Sequence, residues 1–199
     1  MKERSLVGKA DFRSYYGRPI LKRPVWKWFI PAYLFTGGLS GASASLALGA
    51  QLTGNRALRR TSRVASLVGI VASTFFLVID LGRPSRFHHM LRVARPTSPM
   101  SMGSWLLAFF GPATGAAAVS EMTGLLPAVG GAAGVVAGVL GPGVATYTGV
   151  LVADSAIPAW HEARDHLPLL FAGGAAASAG GVAVQFLSGD AAEPARRLA

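Results

Sequence analysis

Residues 64–79 read VASLVGIVASTFFLVI, and this stretch decides the fold class. No charged side chain interrupts it between Arg63 and Asp80. A helix needs roughly 17 to 25 predominantly apolar residues to cross the hydrocarbon core of a bilayer, and the stretch is close to that length. It shows none of the strict alternation that marks a barrel strand. The stretch therefore predicts a transmembrane α-helix.

The rest of the chain has the same character. Of 199 residues, 51% are hydrophobic and only 14% are charged, whereas soluble domains contain about a quarter charged residues. We therefore predict an all-α, polytopic transmembrane bundle of about five helices. The expected spans are Trp28–Leu52, Ser62–Leu81, Ser101–Val119, Ala128–Ala153 and Leu167–Leu187. Residues 1–27 form a basic juxtamembrane tail, residues 28–187 the transmembrane domain, and residues 188–199 a polar tail.

Small residues recur every four positions in two of these spans. The first span has Gly37, Gly41, Ser45 and Gly49, and the fourth has a similar glycine series from Gly130 to Gly138. Such stripes let helix backbones approach closely. We interpret them as packing surfaces within the bundle, with a partner subunit or a flat ligand on the first stripe as the alternative.

The basic residues indicate an orientation. If the five helices alternate, the amino-terminal tail and the loops 81–100 and 154–166 share one face, which holds thirteen of the nineteen Lys and Arg residues. The positive-inside rule places that face in the cytoplasm of a cell-membrane protein. Four arginines between Arg56 and Arg63 crowd the opposite loop and weaken this assignment. The net charge of +10 suits contact with anionic lipid headgroups rather than with nucleic acid.

Residues that are absent restrict the chemistry. The chain has no cysteine, so it offers no thiolates for an iron–sulfur cluster and no thioether attachment for haem. Its four histidines lie at or beyond the expected helix ends, so no two helices present a buried histidine pair to a haem. Electron chemistry would depend on a metal in another chain.

Two polar clusters lie on the predicted basic face. The first is Asp80-Leu81-Gly82-Arg83-Pro84-Ser85-Arg86-Phe87, which begins at the end of the second span. A carboxylate at a helix carboxyl end opposes the helix dipole, so we expect Arg83 or Arg86 to pair with Asp80. Two interpretations stay open: an ion pair that only fixes the loop, or a carboxylate beside a ligand or proton path.

The second cluster runs from Asp154 to Arg164 and contains Trp160 and His161. Histidine titrates near neutrality, so His161 is a candidate proton donor or acceptor. A solvated loop histidine is the alternative. Trp160 is typical of an interfacial aromatic belt.

Together these motifs resemble the NrfD / polysulfide reductase membrane-anchor family. The resemblance covers roughly residues 31–181, in the order and spacing of the family. The residues that carry it are Tyr33 with Gly37-Gly38, Asp80-Leu81-Gly82-Arg83-Pro84 with Arg86-Phe87, Ser98-Pro99-Met100-Ser101-Met102-Gly103-Ser104-Trp105, Tyr147-Thr148-Gly149-Val150-Leu151, and Ile157-Pro158-Ala159-Trp160-His161.

This resemblance implies a haem-free membrane subunit of a respiratory oxidoreductase, not catalytic alone, that exchanges electrons between the quinone pool and a partner. The implied partners are a ferredoxin-like iron–sulfur subunit and a molybdopterin catalytic subunit. The implied substrate is menaquinone or ubiquinone. Quinone binding is expected at Tyr33, Arg83, Tyr147, Trp160 and His161, and proton transfer at Asp80 and His161. Partner docking is expected at Arg83, Arg86, Arg92 and Arg95.

Family members usually have eight or more transmembrane helices, so the chain is expected to correspond to their amino-terminal part. Two other functions stay open: a passive membrane anchor, and a proton- or ion-translocating module. The second is disfavoured because the only charged residue between the predicted apolar cores is Glu121, which lies near an end, and no span is expected to carry a buried ion pair.

Overall fold

The computed structural model describes residues 26–81 and 83–199, which are helical with connecting turns and contain no strand. The long helices form one bundle, and short helical segments join or follow them. In chain order the α-helices are α1 (Phe29–Leu52), α2 (Arg56–Asp80), α3 (Pro99–Thr123), α4 (Pro127–Ala153), α5 (Pro158–Glu162), α6 (Leu167–Phe186) and α7 (Glu193–Arg196). Two 3₁₀ segments, Pro84–Leu91 and Gly189–Ala192, lie between them. The all-α prediction is confirmed.

Local signals set the helix ends. The Asn55 side chain accepts a hydrogen bond from the Leu58 backbone N–H at 3.1 Å and caps α2, which starts that helix at Arg56 rather than at the expected Ser62. Gly124 ends α3 in the left-handed conformation, with φ of 73°, a geometry that glycine adopts without steric cost. Proline at the first helical position begins α3, α4 and α5, where its missing N–H is not needed.

Four of the five long helices, α2, α3, α4 and α6, are long and apolar enough to cross a membrane by length and composition. α1 is not among these four, although it has 24 residues and no charge, because glycine and serine recur along it. α1 packs against α2, α4 and α6. A helix that is covered on several sides needs less apolar surface toward lipid, and its crossing stays a prediction.

The glycine stripe of α1 packs inside the bundle. A Cβ atom on Gly41 would lie 2.5 Å from the Gly141 carbonyl oxygen in α4, and Ser45 Oγ donates to the Gly138 carbonyl of α4 at 3.1 Å. Gly37 faces the Ser73 hydroxyl in α2. The packing interpretation is confirmed at these positions, while Gly49 faces open space.

The expectation that no span carries a buried ion pair is wrong. Arg63 donates to Glu121 at 2.7 Å, and the two side chains are 7% and 11% exposed. Arg59 donates to the other carboxylate oxygen at 2.9 Å, and Arg63 also donates to the Gln51 side chain at 2.6 Å. These contacts join α1, α2 and α3 at the end of the bundle where α1 ends and α2 begins.

The carboxyl-terminal segment packs against the bundle at the same end. Ala192 and Ala195 are fully buried, and Ala195 joins a cluster with Ala50, Leu58 and Ala183. The Asn55 amide donates to the Ala191 carbonyl at 3.0 Å. Part of the segment expected to be a polar tail therefore covers the ends of α1, α2 and α6.

We expect Gly41→Leu to destabilise the fold, because any side chain at Gly41 meets the Gly141 backbone, which cannot move as a side chain would. Overpacking typically costs about 1–3 kcal/mol, and more where backbone is the obstacle. The measurement is the thermal unfolding midpoint of the purified protein in detergent. Gly49→Leu, on the same helix but facing open space, is the matched control. Equal midpoints for the two variants would contradict the close helix contact.

We expect Glu121→Ala to destabilise the fold by about 3–5 kcal/mol, because it leaves the buried Arg63 charge without a counter-charge. Unfolding of the purified protein by denaturant, followed by circular dichroism, measures this. Glu193→Ala is the control, since Glu193 pairs with Arg196 and Arg197 only on the exposed surface and its loss costs at most about 1 kcal/mol. A Glu121 variant as stable as the Glu193 variant would show that the buried pair adds no stability.

Candidate functional site

A cavity of about 220 Å³ lies at the other end of the bundle, where α1 and α3 begin and α2 and α4 end. The 3₁₀ segment Pro84–Leu91 contributes one residue to its wall. Most of the lining side chains are apolar, and the polar ones are two phenols, one carboxylate and one hydroxyl. The residues that line it are Trp26, Ile30, Tyr33, Leu77, Asp80, Leu81, Met90, Met100, Ser104, Leu107, Tyr147 and Leu151.

The helix packing brings three predicted site residues together in this cavity. Tyr33 comes from α1 and is 2% exposed, Tyr147 comes from α4, and Asp80 is the last residue of α2. The side chains of Tyr33 and Tyr147 both line this cavity. Ser73 Oγ donates to the Tyr33 carbonyl at 3.2 Å, which ties this turn of α1 to α2.

Asp80 differs from the sequence-based expectation in its partner. Among the residues that the structure describes, it forms no salt bridge with Arg83 or Arg86. Leu81 ends α2 in an extended conformation, and both arginines are exposed on or beside the 3₁₀ segment. The carboxylate is half-buried at the cavity wall. This position favours the interpretation of Asp80 as a carboxylate beside a ligand.

Trp160 and His161 lie beside the cavity rather than in its wall. The Trp160 ring stacks on Trp26, with ring centroids 5.7 Å apart and planes 17° apart, and Trp26 lines the cavity. His161 is exposed, and its Nδ1 atom lies 3.3 Å from the Ala153 carbonyl. The predicted loop around these residues contains the short helix α5. The stack confirms that the two polar clusters occupy the same end of the bundle.

The four arginines expected to dock a partner, Arg83, Arg86, Arg92 and Arg95, are all exposed around this end of the bundle. Arg83 was also expected to bind quinone, but it does not line the cavity. Arg95 lines a second cavity of about 260 Å³ that shares Met90, Met100 and Ser104 with the first. The basic surface is therefore adjacent to the cavity that contains the phenols.

Sequence reasoning missed most of the apolar wall. Ile30, Leu77, Ser104 and Leu107 each lie three or four residues from another lining residue of the same helix, as expected for one helical face. That spacing was visible in the sequence. What the sequence does not indicate is which face of α1, α3 and α4 turns toward the other helices, since these three are apolar on most sides.

In residues 26–81 and 83–199 no group of three or more His, Cys, Asp or Glu side chains is placed to hold a metal ion. The polar groups available at the cavity are therefore proton donors and acceptors: two phenols, a carboxylate and the Ser104 hydroxyl, which donates to the Met100 carbonyl at 2.9 Å. Such groups donate and accept hydrogen bonds at a wall that is otherwise apolar.

Comparison with protein families gives one match that covers most of the chain. The family model described as polysulphide reductase, NrfD matches residues 20–191, which is most of the chain. The chain belongs to the NrfD family. It is a multi-pass membrane protein, and the family consists of membrane subunits of oxidoreductase complexes. A search of the curated proteins finds no match to this NrfD-family chain.

Proposed function

We propose that this chain exchanges electrons between the quinone pool and an iron–sulfur subunit of its complex, and that the quinone headgroup binds in the cavity between Tyr33, Asp80 and Tyr147. The observation that carries the proposal is the meeting of these three side chains, from three helices, in one mostly apolar cavity. Ligand cavities commonly have this composition, with apolar walls and a few polar groups that orient the ligand.

In this proposal the phenols bind the quinone oxygens. A phenol donates one hydrogen bond and accepts others, so Tyr33 and Tyr147 suit both the carbonyls of a quinone and the hydroxyls of a quinol. The apolar side chains of Leu77, Leu107 and Leu151 cover the faces of the ring. The remaining ring substituents and the isoprenoid tail would leave toward lipid.

Asp80 is the proposed proton acceptor. Oxidation of a quinol to a quinone releases two electrons and two protons, and reduction consumes the same number. The electrons pass to or from an iron–sulfur cluster of the partner, because this chain contains no cysteine to hold one. The protons need a titratable group at the cavity, and Asp80 is the carboxylate in its wall. His161, behind the Trp26–Trp160 stack, is the second candidate and is exposed to solvent.

The exposed arginines are the proposed docking surface for the partner. Arg83, Arg86, Arg92 and Arg95 lie near the cavity, so an acidic iron–sulfur subunit bound there would hold its cluster close to the quinone. Complementary charge of this kind accelerates and orients association. A molybdopterin subunit would complete the complex. We place the complex in the cell membrane, with this basic face in the cytoplasm.

We expect a photoreactive azidoquinone to label the cavity in the purified complex, at residues of α1, α3 and α4, and unlabelled quinone to compete. Tyr33→Phe and Tyr147→Phe should each weaken binding about 3–10-fold, because one hydrogen bond contributes about 0.5–1.5 kcal/mol. Mass spectrometry locates the label, and competition curves give the affinities.

Phe35→Leu is the matched control for Tyr33. Phe35 lies on α1 but lines a different, lipid-facing groove with Phe171 and Gly174. The Phe35→Leu variant should therefore bind quinone with the affinity of the wild type. Labelling that unlabelled quinone does not compete would leave the passive membrane anchor as the function of this chain. Competed labelling at the lipid-facing groove instead would move the quinone site.

We expect Asp80→Asn to slow quinone turnover by the complex about 10²-fold or more, while quinone affinity changes little, because the amide cannot take up the proton. Steady-state turnover with a soluble quinone analogue measures both. Asp154→Asn is the control, since Asp154 is an exposed carboxylate at the same end of the bundle and outside the cavity. Turnover at the wild-type rate in the Asp80→Asn variant would show that Asp80 is not the proton acceptor. His161 would then be the candidate, and turnover of the His161→Asn variant tests it.

A further inference from the structure

Gly103 lies in α3, opposite the Tyr147 side chain of α4. The residue is buried, and a Cβ atom there would overlap the phenol end of the Tyr147 ring, including its hydroxyl oxygen. The tyrosine therefore rests on bare α3 backbone, in space that any other residue would fill. The Tyr147 atoms nearest to this Cβ position are Cζ, Cε2 and the hydroxyl oxygen, at the end of the ring that can bind a ligand.

We propose that Gly103 is a positioning residue for quinone binding, because its missing side chain leaves the space in which the Tyr147 hydroxyl is held at the cavity. This inference rests on the proposed quinone site and adds to it a residue outside the cavity wall. The same stretch of α3 lines the cavity through Met100, Ser104 and Leu107. This helix therefore forms part of the cavity wall and also packs against the Tyr147 phenol.

The other glycines within α3 behave differently. A Cβ atom on Gly111 would meet nothing closer than the Ile70 side chain at 4.0 Å, and one on Gly115 would meet nothing within 4 Å. Close approach to Tyr147 is therefore not a general consequence of α3 packing. It occurs at the position that faces the proposed ligand group.

A purely structural role would also require glycine at position 103. The two roles differ in whether an added methyl group changes stability alone or also the affinity for quinone. If Gly103 only lets α3 and α4 approach, Gly103→Ala lowers stability and leaves quinone affinity unchanged in the protein that remains folded. If it positions Tyr147, the methyl group moves the phenol and weakens quinone binding through that residue alone.

The test compares Gly103→Ala with Gly115→Ala in the full complex. We expect Gly103→Ala to weaken azidoquinone binding at least as much as Tyr147→Phe does, about 3–10-fold, and to raise the KM for quinone more than it lowers kcat. Gly115→Ala should match the wild type in both. Fluorotyrosine introduced at position 147 reports the phenol directly, and its ¹⁹F resonance should shift with Gly103→Ala but not with Gly115→Ala.

A double-variant cycle with Tyr147→Leu keeps the inference testable if Gly103→Ala folds poorly. Leucine removes the overlapping phenol, so Gly103→Ala should have no further effect on quinone affinity in the Tyr147→Leu background. An added loss there, or an unshifted ¹⁹F resonance, would overturn the positioning role of Gly103. Absence of quinone binding in the wild-type complex would instead overturn the proposed function, and the positioning role with it.

Discussion

The close approach of α1 and α4 is the constraint on which the rest of the bundle depends. Gly41 and Gly141 bring the two backbones into contact, and Ser45 adds a hydrogen bond across the same crossing. Eight residues before Gly41 lies Tyr33, and six residues after Gly141 lies Tyr147. At 1.5 Å per residue these are displacements of about 12 and 9 Å toward the same end. The crossing that needs glycine therefore brings the two phenols to a similar level of the bundle, where both line the cavity.

The two ends of the bundle are built from different interactions. At one end the buried Arg63–Glu121 pair and the Gln51 side chain join three helices. The carboxyl-terminal segment packs at the same end, over the ends of α1, α2 and α6. At the other end Asp80 lines a cavity and, within the part of the chain that the structure describes, forms no salt bridge. In an apolar surrounding an unpaired polar group is costly. Under the proposed function, a ligand or a proton path accounts for the carboxylate at this position.

The sequence predicted the helical class and most of the spans, because both follow from the length of uncharged apolar runs. It also predicted three residues of the cavity wall, because they lie in motifs that resemble those of the family. It did not predict the Arg63–Glu121 pair, whose members are 58 residues apart. It also paired Asp80 with its nearest arginines, although Arg83 and Arg86 are exposed and form no salt bridge with it among the described residues. Contacts between distant residues depend on how each helix is rotated about its axis, and α3, which carries Glu121, is apolar on most sides and gives little indication of its rotation. Gly103 shows the same limit, since only its neighbour in α4 explains it.

The chemistry of the cavity fits a subunit that works only within a complex. Its polar groups exchange protons and hydrogen bonds, and the chain, which has no cysteine, offers no thiolate ligands for a cluster. A quinone carries two electrons and two protons. In the proposed function Asp80 accepts or donates the protons, and the electrons pass to or from a metal in another chain. That division requires the partner to bind close to the cavity. The exposed arginines lie at that end of the bundle, so the same helix ends would serve proton transfer inside and docking outside.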